Sequence, residues 1–416
     1  MLSQIGKYKY IIGCKQILLK YTMVGKDMGI YSEYLSMQLS FDDLCNERKK
    51  QLAKISEIRN REIVVYASNI SERNAPISID HSDIVPFSDQ LSMIKGNEID
   101  IILETPGGIG EVVEDLVEII RNRFEKVGII IPGMAKSAGT IFTMAADEIL
   151  MGELSALGPI DAQIFMNGKH YSADAFLEGL KKIKDESNEK QRLDIAYIPM
   201  LQHISPGEIQ HCENAQNFSK KLVTNWLVDY KFKFWDKHKS TGNAVTIEEK
   251  RQRASEIAEL LCNHSHWLTH SRSIRMTELQ KMKLQIIDYS KQNDLNDAIT
   301  RYYSLLRMSF ETNIYKIYET PISQIYRSTM PPLPFPQIPQ IPQIPEIPNP
   351  LIANFMCEKC KSNMKLQINL DKEVPLKDGL IPFPKNNKLK CPICNSESDL
   401  LILRQQVEGQ LKKKIV

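Results

Sequence analysis

Two stretches of this chain concentrate residues that can do chemistry. In the first, Ser137 lies within Pro132-Gly133-Met134-Ala135-Lys136-Ser137-Ala138-Gly139-Thr140. Small neighbours leave room for a close approach to its hydroxyl, and the spacing puts it after a strand and at a helix start. The plain alternative is a helix N-cap, a common use of serine there. Upstream, Thr105-Pro106-Gly107-Gly108 ends one strand and precedes a helix. Paired glycines allow a sharp turn, and amides near a helix start can donate to a developing oxyanion. An ordinary turn would use the same residues. Downstream, Leu157-Gly158-Pro159-Ile160-Asp161 presents a carboxylate on a tight turn, or simply a turn-forming aspartate. A serine hydroxyl also needs an adjacent base, because it carries negligible alkoxide at neutral pH.

The second stretch holds Cys357-Glu358-Lys359-Cys360 and Cys391-Pro392-Ile393-Cys394. Two residues between cysteines let both thiolates reach one metal from a tight turn. Two such turns supply the four soft ligands of a structural, tetrahedral Zn²⁺. The inner gap exceeds the usual spacing, which a hairpin insertion in a zinc ribbon accommodates. A complete Cys₄ set leaves no open coordination position, so one structural zinc is expected, with no organic cofactor. A redox CxxC is the competing use, but no thioredoxin-like βαβ pattern surrounds the pairs. Cys14, Cys45, Cys212 and Cys262 are scattered and read as buried or free thiols.

The elements that must position Ser137 follow a strand–helix alternation. Phe41 to Ile58 has helical spacing, and Glu62 to Ala67 is a buried strand. Ile99 to Leu103 is a second strand, apolar except for Asp100. Val112, Val113, Leu116, Ile119, Ile120 and Phe124 then mark a helix face. Val127 to Ile131 is a third strand, a helix starts near Ser137, and Glu148 to Met151 is a short fourth strand. This order predicts an α/β fold with a mostly parallel sheet. Residues 173–282 read as mainly helical, and 294–326 as helical too. Nine prolines between Pro331 and Pro350, with Pro-Gln-Ile-Pro repeated from Pro336, Pro339 and Pro342, favour a polyproline rod of roughly 60 Å. It reads as a spacer or as a docking segment for a proline-binding domain.

Composition narrows the classes. The 416 residues are 42% hydrophobic and 25% charged, with a formal net charge of +2. That balance gives no reason to expect a nucleic-acid or membrane partner. Lys385, Lys388 and Lys390, with Lys412 to Lys414, read as solvated surface. No apolar run approaches the roughly 20 residues of a spanning helix. Tyr10 to Cys14, soon followed by Lys15 and Lys20, makes no convincing signal peptide. The expected compartment is therefore the cytoplasm. No GxxxxGKS or GxxxxGKT pattern is present, so no ATPase is expected within the chain.

Taken together, Ile101 to Gly108, Ala135 to Thr140, Ala145 to Ile149 and Leu157 to Gln163 resemble the ClpP/crotonase superfamily. The similarity is greatest to the SDH family of Clp-fold serine proteinases, relatives of SppA. It runs from about Phe41 to Ile287, more weakly through Trp267-Leu268-Thr269-His270 and Glu278-Leu279. The resemblance implies a ClpP/crotonase-like spiral core with flanking helices, followed here by a small Cys₄ zinc ribbon. It implies Ser137 as nucleophile, with Gly107 or Gly108 and the amide of Ala138 as oxyanion hole. The family order Ser, Asp, His fits Ser137, Asp161 and His270, whereas SppA relatives use a lysine, for which Lys181 and Lys182 are the alternatives. His170 is a further histidine near the aspartate. The family tends to read Thr-His-Asp-Tyr-Pro where this chain has Thr269-His270-Ser271-Arg272-Ser273.

The expected organisation is an N-terminal extension (1–35), a Clp-fold proteinase domain (36–290), a helical extension (291–330), a proline-rich linker (331–350), a zinc-ribbon-like domain (351–404) and a basic tail (405–416). The expected function is a serine peptidase acting on polypeptides. By resemblance it would self-associate, and a protein partner would dock through the zinc module or the linker. A crotonase-like acyl-CoA enzyme shares the amide oxyanion hole and is the second reading. A zinc-ribbon adaptor on an inactive peptidase scaffold is the third.

Overall fold

The computed structural model describes residues 28–72, 74–166, 169–238, 241–329 and 348–416, with backbone only at 165, 166, 169 and 170. The proline-rich segment therefore lies, up to residue 347, outside the described residues, as do Cys14 and most of the N-terminal extension. Two compact units are separated, residues 1–331 and 332–416.

The first unit contains, in chain order, β1 (Glu62–Ser68), β2 (Glu98–Glu104), β3 (Lys126–Ile131), β4 (Met134–Ala135), β5 (Glu148–Met151), β6 (Ala156–Leu157), β7 (Gln163–Met166), β8 (Lys169–Ser172), β9 (Ile287–Asp288), β10 (Ile314–Glu319) and β11 (Gln324–Ser328). The main sheet runs β11-β10-β1-β2-β3-β5-β9. From β1 to β9 its neighbours are parallel. Strands β1, β2, β3 and β5 are buried on both faces, which is why they read as continuous apolar runs. Ile63, Val65, Ile102, Ile130 and Leu150 point to a core under the helices Phe41–Arg59 and Asn293–Ser309. Val64, Tyr66, Ile101, Ile129 and Ile149 point to the opposite core, which includes Leu116, Phe142, Trp226 and Leu261. Asp100, the polar exception, is buried against Arg59 and Arg61.

The helical expectation for 294–326 needs correction. The helix ends at Ser309, and β10 and β11 form an antiparallel hairpin on the edge of β1. Ile314, Ile317 and Tyr318 are buried β-formers, and Thr320-Pro321 breaks the chain between the strands. Ile314–Glu319 and Gln324–Ser328 thus belong to the main sheet and Asn293–Ser309 packs on it, so the stretch is not a purely helical extension. Lys316 on β10 is fully buried, and its Nζ donates to Asp83 at 2.7 Å.

The second unit has β12 (Leu351–Met356), β13 (Asn363–Ile368), β14 (Ile381–Pro382), β15 (Lys388–Lys390) and β16 (Glu397–Asp399), and then a helix, Leu401–Leu411. Residues 405–416 are not a free tail. Val407 and Leu411 pack on the small core, and Ile415 is buried and bridges to Leu370.

Candidate active site and metal centre

A second, narrower layer lies beyond the ends of β2 and β3. Ile79 bridges Gly108, Thr105 bridges Ala135, β4 pairs with β6, and Leu157 bridges Ile274. Five segments distant in sequence are thereby laid side by side, and all but that of Ile79 lie next to a candidate residue.

Ser137 follows β4 and stands before the helix Ala138–Met144 with φ 52° and ψ −117°. Its side chain makes no capping hydrogen bond, so the N-cap use is not the one taken. A non-glycine residue at positive φ is strained and clusters at functional sites. Thr140 locks this helix to the aspartate turn. Its Oγ1 lies 2.8 Å from Gly158 O and 3.0 Å from Ala135 O, and it accepts from Gly158 N–H at 3.0 Å.

The glycine turn adjoins the serine. A Cβ built on Gly107 would stand 2.6 Å from Lys136 O and 2.7 Å from Ser137 Cβ. Its φ of 105° also demands glycine. The two glycines differ as donors. Gly107 N–H is taken by Thr105 Oγ1 at 3.1 Å. Ile79 bonds Gly107 O and Ile109 N, so the N–H of Gly108 faces the other edge, where Thr105 pairs with the strand leading to Ser137. Among the described residues, neither Gly108 N–H nor Ala138 N–H makes a hydrogen bond.

Asp161 has a fully buried carboxylate. Oδ1 accepts from the Ser172 hydroxyl at 2.5 Å, and Oδ2 accepts from Gln163 Nε2 and His264 Nδ1, each at 2.9 Å. His270 Nδ1 stands 3.6 Å from the same Oδ2, within ion-pair reach but beyond hydrogen-bond range, and is buried without a hydrogen bond. Burial alone would raise the Asp161 pKa; the His270 imidazole, the Ser172 hydroxyl and the His264 imidazole outweigh it and hold the carboxyl below the usual aspartate range. The loop after His270 reaches the serine's side of the site. Lys136 Nζ donates to Ser271 O at 2.5 Å and lies 3.3 Å from Ser273 Oγ. Leu157 separates Ala135 from Ile274, so this loop runs about 10 Å, two strand spacings, from the strand of Ser137.

Lys181 and Lys182 are exposed on the helix Ala173–Lys190, without the burial that a lysine base requires. The His170 side chain lies outside the described residues. Sequence reasoning missed His264. Its only local signal is a cluster of rings, His264, His266 and Trp267, and its aspartate partner is 103 positions away.

The four cysteines of the second unit converge, with all Sγ atoms within 4.8 Å of one another. Cys357 and Cys394 are 3.6 Å apart, and Cys360 and Cys391 3.7 Å. These separations are far too long for disulfides. They match the roughly 3.8 Å between ligands of a tetrahedral ion with bonds of about 2.3 Å. The two turns are alike. Lys361 N–H bonds Cys357 O and Asn395 N–H bonds Cys391 O, with φ of 59° and 57° at the donors. The backbone N–H of Cys360, then the Ser396 hydroxyl, push the Cys357 thiol down to about 6. Those donors favour the thiolate that a metal requires. The donor set fits a metal ion. Cys45, Cys212 and Cys262 are free and buried elsewhere.

The chain is 28% identical over 166 residues to one uncharacterised protein of Methanocaldococcus jannaschii, covering 39% of this chain and 56% of that one. It is 24% identical over 238 residues to another from the same organism, covering 54% and 78%. It thus spans little more than half the length of the first relative. Among solved structures, a membrane-bound stomatin-specific protease matches at 15% identity and TM-score 0.32, covering 53% of this chain and 79% of that one. ClpP1 from Listeria monocytogenes matches at 12% identity and TM-score 0.28, covering 57% and 94%. No helix among the described residues is long and apolar enough to cross a membrane. A family model matches residues 34–246, a stretch that includes Ser137 and Asp161 and stops before His264 and His270. Over that half of its length, with a mostly parallel sheet and a narrow second layer behind it, the chain belongs to the ClpP-like SDH-type serine proteinases.

Proposed function

We propose that the chain is a serine peptidase in which Ser137 is the nucleophile, His270 the general base, Asp161 its orienting carboxylate, and the N–H groups of Gly108 and Ala138 the oxyanion hole. Ser137 Oγ bonds to the peptide carbonyl carbon while His270 takes its proton. The carbonyl electron pair moves onto the oxygen, which the two N–H groups receive. Collapse breaks the C–N bond, and His270 returns the proton to the leaving amine. Water then hydrolyses the ester by the same steps. Losing one oxyanion donor typically costs about 2.7–4 kcal/mol.

The observation that carries this reading is the uncapped Ser137 at φ 52° beside a glycine turn with an unpaired N–H. An acyl-CoA enzyme would need the amides but not a strained serine. His270 is preferred to His264 because its loop touches Lys136, the neighbour of Ser137, whereas His264 is anchored to Asp174 on the helix Ala173–Lys190. The substrate is a polypeptide, the working form a homo-oligomer of cytoplasmic location, and the metal of the second unit a structural Zn²⁺. That unit and the proline-rich segment recruit partners.

A fluorophosphonate forms a bond to Ser137 Oγ with loss of fluoride. Labelling of the full chain and hydrolysis of a polypeptide such as casein are expected, and both should vanish in Ser137→Ala. Equal labelling of the variant would sink the peptidase reading, whereas loss of function in Cys391→Ser alone would favour the adaptor.

A further inference from the structure

Two imidazoles face one carboxylate oxygen. Asp161 Oδ2 already accepts from His264 Nδ1 and Gln163 Nε2, both at 2.9 Å. Two donors fill the two lone pairs of that oxygen. His270 Nδ1 is left at 3.6 Å from it, near enough to help hold the carboxylate charged but buried without a hydrogen bond. An unsatisfied buried donor is unfavourable, so this arrangement persists only because something firmer holds the oxygen.

The firmer partner is His264. Its backbone N–H donates to Asp174 Oδ2 at 2.8 Å. Asn263 caps the short helix His264–Trp267 by accepting from His266 N–H at 2.7 Å. Asp174 lies in the first turn of the helix Ala173–Lys190, which is capped by Ser172, itself hydrogen-bonded to Asp161 Oδ1. The His264 ring is thus fixed to the same small framework that fixes the carboxylate. His270 lies on a loop after the helix; among the described residues its own backbone makes no hydrogen bond, and the loop is held only from Ser271 onward, by Lys136 and the Leu157–Ile274 bridge.

We propose that His264 is a positioning residue that competes with His270 for Asp161 Oδ2, and that its grip holds the resting site in a weakly activated state. Displacing the His264 hydrogen bond frees the oxygen, lets His270 Nδ1–H bond to it, and orients the opposite ring nitrogen as base. This inference rests on the peptidase reading for its catalytic consequence, but the competition itself is a statement about hydrogen bonding alone.

The test compares fluorophosphonate labelling rates of the full chain. His264→Leu should label roughly five- to tenfold faster, the worth of one hydrogen bond. His264→Asn, whose Nδ2 can replace the lost donor, should return to the wild-type rate, and His270→Ala should lose labelling. An unchanged or slower rate in His264→Leu overturns the proposal. So does loss of labelling in both His264 variants with retention in His270→Ala, since His264 would then be the base. Imidazole ¹⁵N spectra of the wild-type protein give a reading that requires no variant to fold: Nδ1–H of His264 should be hydrogen-bonded and that of His270 not. The reverse pattern overturns the competition. If the wild type does not label at all, the peptidase reading fails while these spectra still decide the competition.

Discussion

Half-buried Ser137 owes its placement to backbone geometry that its own side chain does not relieve. With φ at 52° and no cap bond, the residue is held by its neighbours: β4 before it, the Thr140 lock after it, and the Gly107 backbone against it. This dependence makes Gly107 the sharpest local probe. An alanine there would place Cβ 2.6 Å from Lys136 O, and its φ of 105° is one that side chains rarely adopt. Backbone atoms cannot swing aside as a flexible side chain can, so the serine turn must shift. Gly107→Ala is expected to abolish fluorophosphonate labelling while the chain still folds, as judged by circular dichroism. Labelling at the wild-type rate would show that the turn does not support the serine. The sequence made Ser137, Asp161 and the glycines visible because small residues and turns leave local signatures. The base was harder to read, since three imidazoles lie within seven residues, His264, His266 and His270, and only the fold brings two of them to Asp161.

At the scale of elements, the narrow second layer is tied to the main sheet by a buried acid. Glu104 ends β2, and its carboxylate accepts from Met134 N–H at 2.8 Å and from the Tyr303 hydroxyl at 3.1 Å. Burial raises its pKa from 4.5 to about 7 against those hydrogen bonds. The folded chain therefore binds this proton more tightly than the unfolded chain. The stability that follows is fully present below about pH 4.5 and is lost as pH rises through about 7. Glu104→Gln keeps an acceptor for Met134 and does not ionise. Its unfolding free energy relative to wild type should therefore rise from about pH 5 to about pH 8, by up to about 3 kcal/mol. Denaturant titrations at both values check this, and a pH-independent difference would show that Glu104 does not titrate there. Neither this joint nor the β10–β11 hairpin was legible in the sequence. Strands of the parallel sheet announce themselves as unbroken apolar runs, whereas Ile314 to Glu319 is interrupted by a charged residue at every third position, Lys316 and Glu319. One of these, Lys316, is buried only because Asp83 and Ser78, more than 200 positions away, meet it.

For the whole molecule, the two units draw their stability from different sources. The first has two extensive cores on either side of its sheet, a scale at which apolar burial suffices. The second spans residues 332–416, and its core is little more than Leu366, Ile368, Leu370, Phe383, Leu389, Leu400 and Ile415 around the cysteines. So small a core rarely supplies more than about 3–5 kcal/mol, and four thiolates forced within 4.8 Å of one another repel unless a cation binds them. A metal held by these four cysteines would then provide much of this unit's folding free energy. Its two CxxC turns were legible because ligand spacing is local; the packing of Val407, Leu411 and Ile415 was not, since a charged run hides apolar residues at helical spacing. Treating the protein with a strong chelator should remove one equivalent of zinc, abolish the lower thermal transition and increase proteolysis within residues 351–416. The melting of the first unit and the labelling of Ser137 should be unchanged. Cys391→Ser should reproduce the chelated state without chelator. A second unit that melts identically with and without metal would mean that its core and helix Leu401–Leu411 suffice alone, and that the cysteines converge without contributing to the fold.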